Sequence, residues 1–386
     1  MHLRRFLSVF VLATVIPLQA AGQDSPGFVR RVIDRLGKSS AALDPAAVYQ
    51  PAPRWTFALT GDLRQAVTSQ TRSFMTLYFD LDEAGNLIID DTPIVFNSSL
   101  RGGLEKAVGL QVGYGSLNLA LSKSFHGSKD DRTFSFDYQG AGLGLSVQYF
   151  KLSDLVDYNL IMGEEGDANY VTYDGTTAEP VRMRSFIVDA FYAFNRRTFA
   201  YSAAYKGYIQ QRRSAGSWMI GSKLILSDYS LDPSELISLW SGGQARQSSA
   251  QVSFGGGYSF NFVPLHRQPS GDREKGLRNL TVNLTAIPMV TLFNQFTSTS
   301  YEYVGDDEFV TGGKDVINGK PMVNYVARVG VGYTHDLYTV NLSGSGDSYA
   351  YRGTSSIVYQ GVANDEVETS GKFFRWSLAL RLCKRF

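Results

Sequence analysis

The chain ends on Phe373-Phe374-Arg375-Trp376-Ser377-Leu378-Ala379-Leu380-Arg381-Leu382-Cys383-Lys384-Arg385-Phe386, and the period of this stretch decides the fold. Phe374, Trp376, Leu378, Leu380, Leu382 and Phe386 form one row, and Arg375, Ser377, Arg381 and Arg385 form the other. Side chains on a strand point alternately to opposite faces, so the segment has one apolar and one polar face. The same period returns upstream. Leu117, Leu119 and Leu121 interleave with Ser116, Asn118, Ala120 and Ser122, and Phe134, Phe136 and Tyr138 with Thr133, Ser135, Asp137 and Gln139. Ala250, Val252, Phe254, Tyr258, Phe260 and Phe262 face one way, against Gln251, Ser253, Ser259 and Asn261. Leu280, Val282 and Leu284 oppose Asn279, Thr281, Asn283 and Thr285, and Val323, Tyr325, Val329, Val331 and Tyr333 oppose Asn324, Arg328 and Thr334.

Two architectures use such strands. A soluble sandwich buries its apolar rows against each other, whereas a membrane barrel turns them to lipid and keeps polar or small residues inside. The polar rows here are rich in Gly, Ser, Asn and Gln, as a wet interior tolerates. Aromatics (Tyr114, Phe125, Tyr149, Trp218, Tyr258, Phe262, Tyr333 and Trp376) sit near the row ends, where an interfacial girdle needs them. A terminal Phe386 on an amphipathic strand that also carries Trp376 resembles the assembly signal of bacterial outer-membrane barrels. The reading is therefore all-β: a closed antiparallel transmembrane β-barrel, with a short periplasmic helix before it. Its expected partners are outer-membrane lipid and, through the C-terminal strand, the assembly machinery.

The other end of the chain agrees with this address. His2-Leu3-Arg4-Arg5 is a short basic region, Phe6 to Leu18 is an apolar run, and Leu18-Gln19-Ala20 offers a small residue for cleavage. An apolar run of that length is too short to span a bilayer and has the pattern of a secretory signal peptide. The expected divisions are a signal peptide over 1–20, a leader over 21–53 and the barrel over 54–386. In the leader, Phe28, Val32 and Leu36 have helical spacing, which reads either as a short amphipathic helix or as a mobile segment.

Composition narrows the function. Of 386 residues, 38 are Gly and 13% are aromatic, which excludes a disordered or coiled-coil protein. Removing Arg4 and Arg5 with the leader peptide leaves 35 basic against 36 acidic residues, so nothing favours nucleic acid. The one cysteine, Cys383, allows no internal disulfide and no cysteine metal cluster. No cofactor is expected.

Strand candidates begin near positions 54, 72, 104, 116, 132, 142, 183, 198, 217, 248, 278, 322, 337 and 372. That is about fourteen, within a range of twelve to sixteen. An even count puts both barrel ends on one side of the membrane. The long loop at 153–182 falls on the wrong parity for this count, so either a strand is miscounted or one inner connection is unusually long.

Three stretches carry a family resemblance: FVRRVIDRLGKSSAALDPAAVYQPAPRWTFAL at 28–59, VGLQVGYGSLNLALSKSF at 108–125, and QQRRSAGSWMIGSKL at 210–224. They resemble an uncharacterised family of outer-membrane β-barrel proteins from Bacteroides-like bacteria, classed as a domain of unknown function. The resemblance implies a family domain over nearly all of the mature chain. It brings no activity and no catalytic residues.

Enzyme chemistry finds little support. A Ser-His-acid hydrolase needs a histidine beside its nucleophile, and His126, His266 and His335 are all expected in turns or loops. The run Ser343 to Ser348 has Leu342 where a nucleophile elbow needs Gly. Asp306-Asp307-Glu308 and Glu164-Glu165 with Asp167 lack the alternate spacing of a calcium loop and read as solvated loop acids. Gly140, Gly142 and Gly144 ease curvature or leave the interior open.

What remains is the interior. Its expected inward residues are Arg64, Asp137, Gln148, Lys206, Lys223, Asn261, Asn283, Arg328, Arg375 and Arg381. Basic groups outnumber acids in that set, which leans toward anionic or neutral polar solutes if a channel exists. The leading expectation is a porin-like passage for small polar solutes. The alternatives are a closed barrel acting through its exterior loops and a membrane-embedded hydrolase. The solute or surface partner is not legible in the sequence.

Overall fold

The computed structural model describes residues 43–51, 55–81, 87–125, 131–140, 142–163, 170–206, 208–240, 244–267, 276–305, 308–359 and 362–386. The expected signal peptide over 1–20 and the expected leader helix with Phe28, Val32 and Leu36 lie outside this set. Its first strand is the two-residue β1 (Val48–Tyr49). There follow β2 (Trp55–Leu81), β3 (Leu87–Gly102), β4 (Glu105–Tyr114), β5 (Leu117–Ser124), β6 (Arg132–Gln139) and β7 (Leu143–Asp154). A hairpin of β8 (Val156–Met162) and β9 (Val171–Thr176) precedes β10 (Val181–Ala193). After a non-strand excursion holding β11 (Gln210–Gln211) come β12 (Ala215–Ser230), the short helix α1 (Leu236–Trp240), β13 (Gln244–Arg267) and β14 (Arg278–Gly305). The chain ends with β15 (Glu308–Asn318), β16 (Met322–His335), β17 (Tyr338–Tyr359) and β18 (Val362–Arg385).

Each wall strand is antiparallel to its neighbour, and the last meets the first: residues 56–73 of β2 pair with residues 368–385 of β18. The sheet closes on itself. Two wall strands are each broken once. Residues 55–64 of β2 pair with β4 and residues 67–81 with β3, so β3 and β4 are two parts of one strand offset at 102–104. β15 and β16 lie along β14, keep one register across their break, and are separated at 319–321, where Pro321 has no N–H for a ladder. Counted so, the ring has twelve positions among the described residues: β2, β3/β4, β5, β6, β7, β10, β12, β13, β14, β15/β16, β17 and β18.

Two of the fourteen expected strands therefore disappear. The candidate near 72 is the continuation of β2, and the one near 198 is not a strand. With twelve, the parity conflict at 153–182 resolves, because that stretch joins β7 to β10 at the end of the barrel opposite Trp55 and Phe386. The end holding those two residues is called proximal here and the other distal.

The ring is lopsided. β13, β14, β17 and β18 have 24, 28, 22 and 24 residues, whereas β5 and β6 have 8 each. Above the low side, β8 pairs with β3 and carries β9. Tyr158 and Leu160 of β8 are buried against Val181, Leu231, Ile237 and Ala245, with Leu100 and Tyr301 packed on them, so an apolar cluster joins opposite walls at the distal end.

The alternation settles which face is which. Along β4 the burial strictly alternates, with Glu105, Ala107, Gly109, Gln111 and Gly113 inside and Val108, Leu110, Val112 and Tyr114 outside. Large apolar side chains stay exposed all round the outer face, among them Leu110 at 68%, Leu119 at 50%, Leu284 at 59% and Val323 at 73%. Polar side chains instead form the interior: Asn261, Thr281, Asn283 and Thr291 are fully buried. Aromatic rings pair at the proximal rim, Trp55 with Tyr114 at 5.3 Å, Trp218 with Tyr258 at 5.4 Å and Phe57 with Phe386 at 5.5 Å.

Candidate functional site: a plugged lumen and its cavity

The segment between β10 and β12 enters the barrel instead of crossing its wall. It turns at 194–198, forms a single 3-10 turn over Tyr201–Ala203, and returns through β11, which pairs with β1. Phe199, Ala200, Ala204, Ile209 and Gln211 have no exposed surface. The first turn is held locally, with the Asn195 amide donating to the Gly216 carbonyl at 3.0 Å and accepting from the Thr198 hydroxyl at 2.7 Å.

The wall receives this plug through polar side chains on six of its strands. Asn261 on β13 donates to the Ala200 carbonyl at 2.8 Å, and Asn279 on β14 donates to the Gln211 carbonyl at 2.7 Å. Asn283 on β14 accepts from the Tyr205 hydroxyl at 2.6 Å, and Arg328 on β16 donates to the Tyr201 hydroxyl at 3.1 Å. Asn341 on β17 donates to the Ala204 carbonyl at 2.9 Å, and Arg381 on β18 donates to the Lys206 carbonyl at 2.7 Å. Across the lumen, Lys206 donates to Asp137 on β6 at 2.9 Å. Close approach is secured by two glycines of β16. A Cβ on Gly330 would stand 2.7 Å from the Tyr205 ring, and one on Gly332 would stand 3.0 Å from the Ala204 carbonyl.

Above the plug a buried charge network crosses the lumen. Lys223 of β12 is held by Asp347 at 2.7 Å and Asp189 at 3.2 Å. Asp347 also accepts from Arg375 at 2.9 Å, and Asp189 lies 3.5 Å from Arg328. The Lys223 side chain is 1% exposed, so its charge is compensated by carboxylates rather than by water.

Beside the plug lies a cavity of about 360 Å3, under the low wall of β4 to β7. The structure places the expected inward residues in three settings. Arg64, Asp137, Gln148, Lys206, Arg328, Arg375 and Arg381 line this cavity, Lys206 from the plug rather than from a strand. Lys223 sits in the charge network, and Asn261 and Asn283 serve the plug. The sequence reading missed Asp62, Glu105, Asp131, Asp154, Asp189 and Asp347. With these, seven carboxylates face five cations in the cavity lining, which reverses the expected basic excess. The inward row of β4, with Glu105 two places before Ala107 and six before Gln111, holds the signal that finds one of them.

The glycine reading also changes. Gly144 is no opening, because a Cβ there would run into the Phe191 ring, which fills its place from β10. His266 and His335 stand on the ends of β13 and β16 rather than in loops, and His126 is outside the described residues. His266 meets the Asn279 amide at 3.2 Å and His335 meets Asp336 at 3.5 Å. Ser345 hydrogen-bonds Ser377 at 2.8 Å, and no histidine lines the cavity among the described residues. The acidic pair Glu164-Glu165 with Asp167, and Asp306-Asp307, are outside that set as well.

A family described as a domain of unknown function, DUF4421, matches residues 69–364. The chain belongs to the DUF4421 family. Of the three stretches that carry the resemblance, those at 108–125 and 210–224 fall inside the DUF4421 match, and the one at 28–59 falls outside. No curated protein matches the chain significantly. Among solved structures, it is similar to the Escherichia coli outer membrane protease OmpT at 7% identity, covering 85% of this chain and 97% of that one with a TM-score of 0.39. It is also similar to the Pseudomonas putida toluene transporter TodX at 9% identity, with coverages of 86% and 90% and a TM-score of 0.18. A Pseudomonas aeruginosa FadL homologue matches at 9% identity, with coverages of 85% and 90% and a TM-score of 0.16. All three TM-scores are below 0.5, so the barrel assignment rests on the closed strand ring of this DUF4421 chain itself.

Proposed function

We propose that this protein is an integral outer-membrane β-barrel with a closed lumen, working through its cavity and its distal structures rather than as an open porin. The observation that carries this reading is the plug, anchored to β6, β13, β14, β16, β17 and β18 and fully buried at its centre. A passage for hydrated solutes needs a continuous wet path, and here amide, hydroxyl and aromatic groups fill the proximal half. The exposed apolar belt, the aromatic rim and the predicted leader peptide support membrane insertion with the proximal end in the periplasm. A strand needs about 9–11 residues to cross a bilayer. The 22–28 residues of β13, β14, β17 and β18 therefore carry the tall wall well beyond the distal membrane surface. Assembly is read from the C-terminal strand, with Phe386 and Trp376 as its signal.

Planar-bilayer recording of the purified, heat-modifiable barrel tests the reading. The intact protein is expected to be electrically silent. A variant with residues 196–213 replaced by a short Gly-Ser turn is expected to conduct in discrete steps. Discrete steps from the intact protein would restore the open passage.

A further inference from the structure

Four carboxylates line the distal wall of the cavity. Asp62 and Glu105 project from β2 and β4, Asp131 immediately precedes β6, and Asp154 ends β7. Asp154 lies over Gly103, where a Cβ would stand 2.7 Å from its Oδ2. Arg64 is the cation of this wall among the described residues, and it is already engaged, with Asp62 at 3.3 Å and as donor to the Thr133 hydroxyl at 2.8 Å. The remaining cations of the lining are committed elsewhere: Lys206 to Asp137, Arg375 to Asp347, Arg328 to Asp189, and Arg381 to Gln111 and Asn341.

Glu105 stands apart from these pairs. It is only 8% exposed, it faces the cavity, and its Oε2 is buried without a hydrogen-bond partner. A buried carboxylate oxygen without a donor is costly, and a native structure that keeps one needs a reason for it. The adjoining wall is apolar, made by Leu100, Phe150, Leu152, Val156, Val181 and Met183. A volume of about 360 Å3 lies in the range of small-molecule sites. The lining also reaches the distal rim, since Asp131 and Asp154 stand at strand ends there.

We propose that this cavity binds an organic cation, its ammonium group received by Glu105 and its apolar body lying along Leu100, Phe150, Leu152 and Met183. An ammonium supplies the donor that Glu105 Oε2 lacks. A bare divalent ion fits less well, because no three potential metal ligands come together among the described residues. The inference goes beyond the closed-barrel reading and does not depend on it, since one is read by binding and the other by conductance.

The test is calorimetric titration of the full-length protein in a neutral detergent with 2-phenylethylammonium and its near-isostere of opposite charge, 3-phenylpropanoate. The cation is expected to bind and the anion not. Glu105→Gln should weaken cation binding at least about tenfold while the protein keeps its heat-modifiable form, and Asp174→Asn on the exposed face of β9 should leave it unchanged. Equal affinity for the two probes, no binding of the cation, displacement of the cation by calcium at lower concentration, or full affinity in Glu105→Gln would each overturn the proposal. Should Glu105→Gln fail to fold, the comparison of the two probes on the wild-type protein decides alone.

Discussion

The two halves of the lumen are built from the same alternating strands and end in opposite conditions. Against β13 and β14 the inward groups are mostly neutral: Ser259 bonds Thr285 at 2.6 Å, Ser253 bonds Thr291 at 2.9 Å, and Asn283 donates to Asn261 at 2.7 Å. Short neutral groups satisfy one another directly, and the plug is anchored on them through Asn261, Asn279 and Asn283. Against β2 and β4 to β7 the inward groups include Asp62, Glu105, Asp131 and Asp137, and there the space stays open. Neutral pairs let a barrel pack shut, whereas carboxylates in excess of cations hold a chamber open, because charge seeks water or a counter-ion before it accepts burial.

The strongest way to break this comparison is to unbalance the paired charges above the plug. Lys223→Met strands Asp189 and Asp347 without their shared cation and is expected to cost about 3–5 kcal/mol. It should lower the temperature at which the folded band converts on a heat-modifiability gel. Glu105→Gln, made in the open half, should move that temperature the other way, because it removes an uncompensated charge. The same sign for both variants would end the distinction between the halves.

A second test sets the outside against the inside. Leu119→Arg turns a cation toward lipid at a site that is 50% exposed, and should cost roughly 2–4 kcal/mol and deplete the folded protein in the membrane. Gln148→Arg, which faces the cavity, should leave that level unchanged. Asn118 is a poor inward control, since it is 4% exposed and accepts from Gln111 at 2.6 Å. The mildest variant sharpens the role of close packing. Gly332→Val pushes the Ala203–Ala204 backbone from β16, with an overpacking cost of about 1–3 kcal/mol. It should produce intermittent conductance in a barrel that remains folded, and persistent silence would show that the plug tolerates displacement without opening.

How much of this was legible in the sequence follows from where each residue's neighbours lie. The outer face was readable because lipid-facing rows need only local alternation, as in Leu378, Leu380 and Leu382, all of which are exposed. The plug was not. Phe199, Tyr201, Ala203 and Tyr205 repeat every second residue as a strand would, and only the distant partners Asn261, Asn341 and Arg381 distinguish an in-folded segment from a wall. The acids of the cavity were obscured for a related reason. Asp131 and Asp154 stand at strand ends, where alternation stops reporting direction, and Asp189 is identified by its contact with Lys223 from the neighbouring strand.

The seam between β2 and β18 has a consequence in time. Trp376 donates to Gln65, 311 positions away in the chain, and the Phe386 amide donates to the Trp55 carbonyl at 2.9 Å. The first long strand therefore gains its second neighbour only when β18, from the far end of the ring in sequence, docks on it. Until then both edges present unpaired backbone groups to any other extended chain, and contacts so far apart in sequence form slowly. Closure depends on the pairing of β18 with β2, and a chain interrupted before β18 is left with an open sheet.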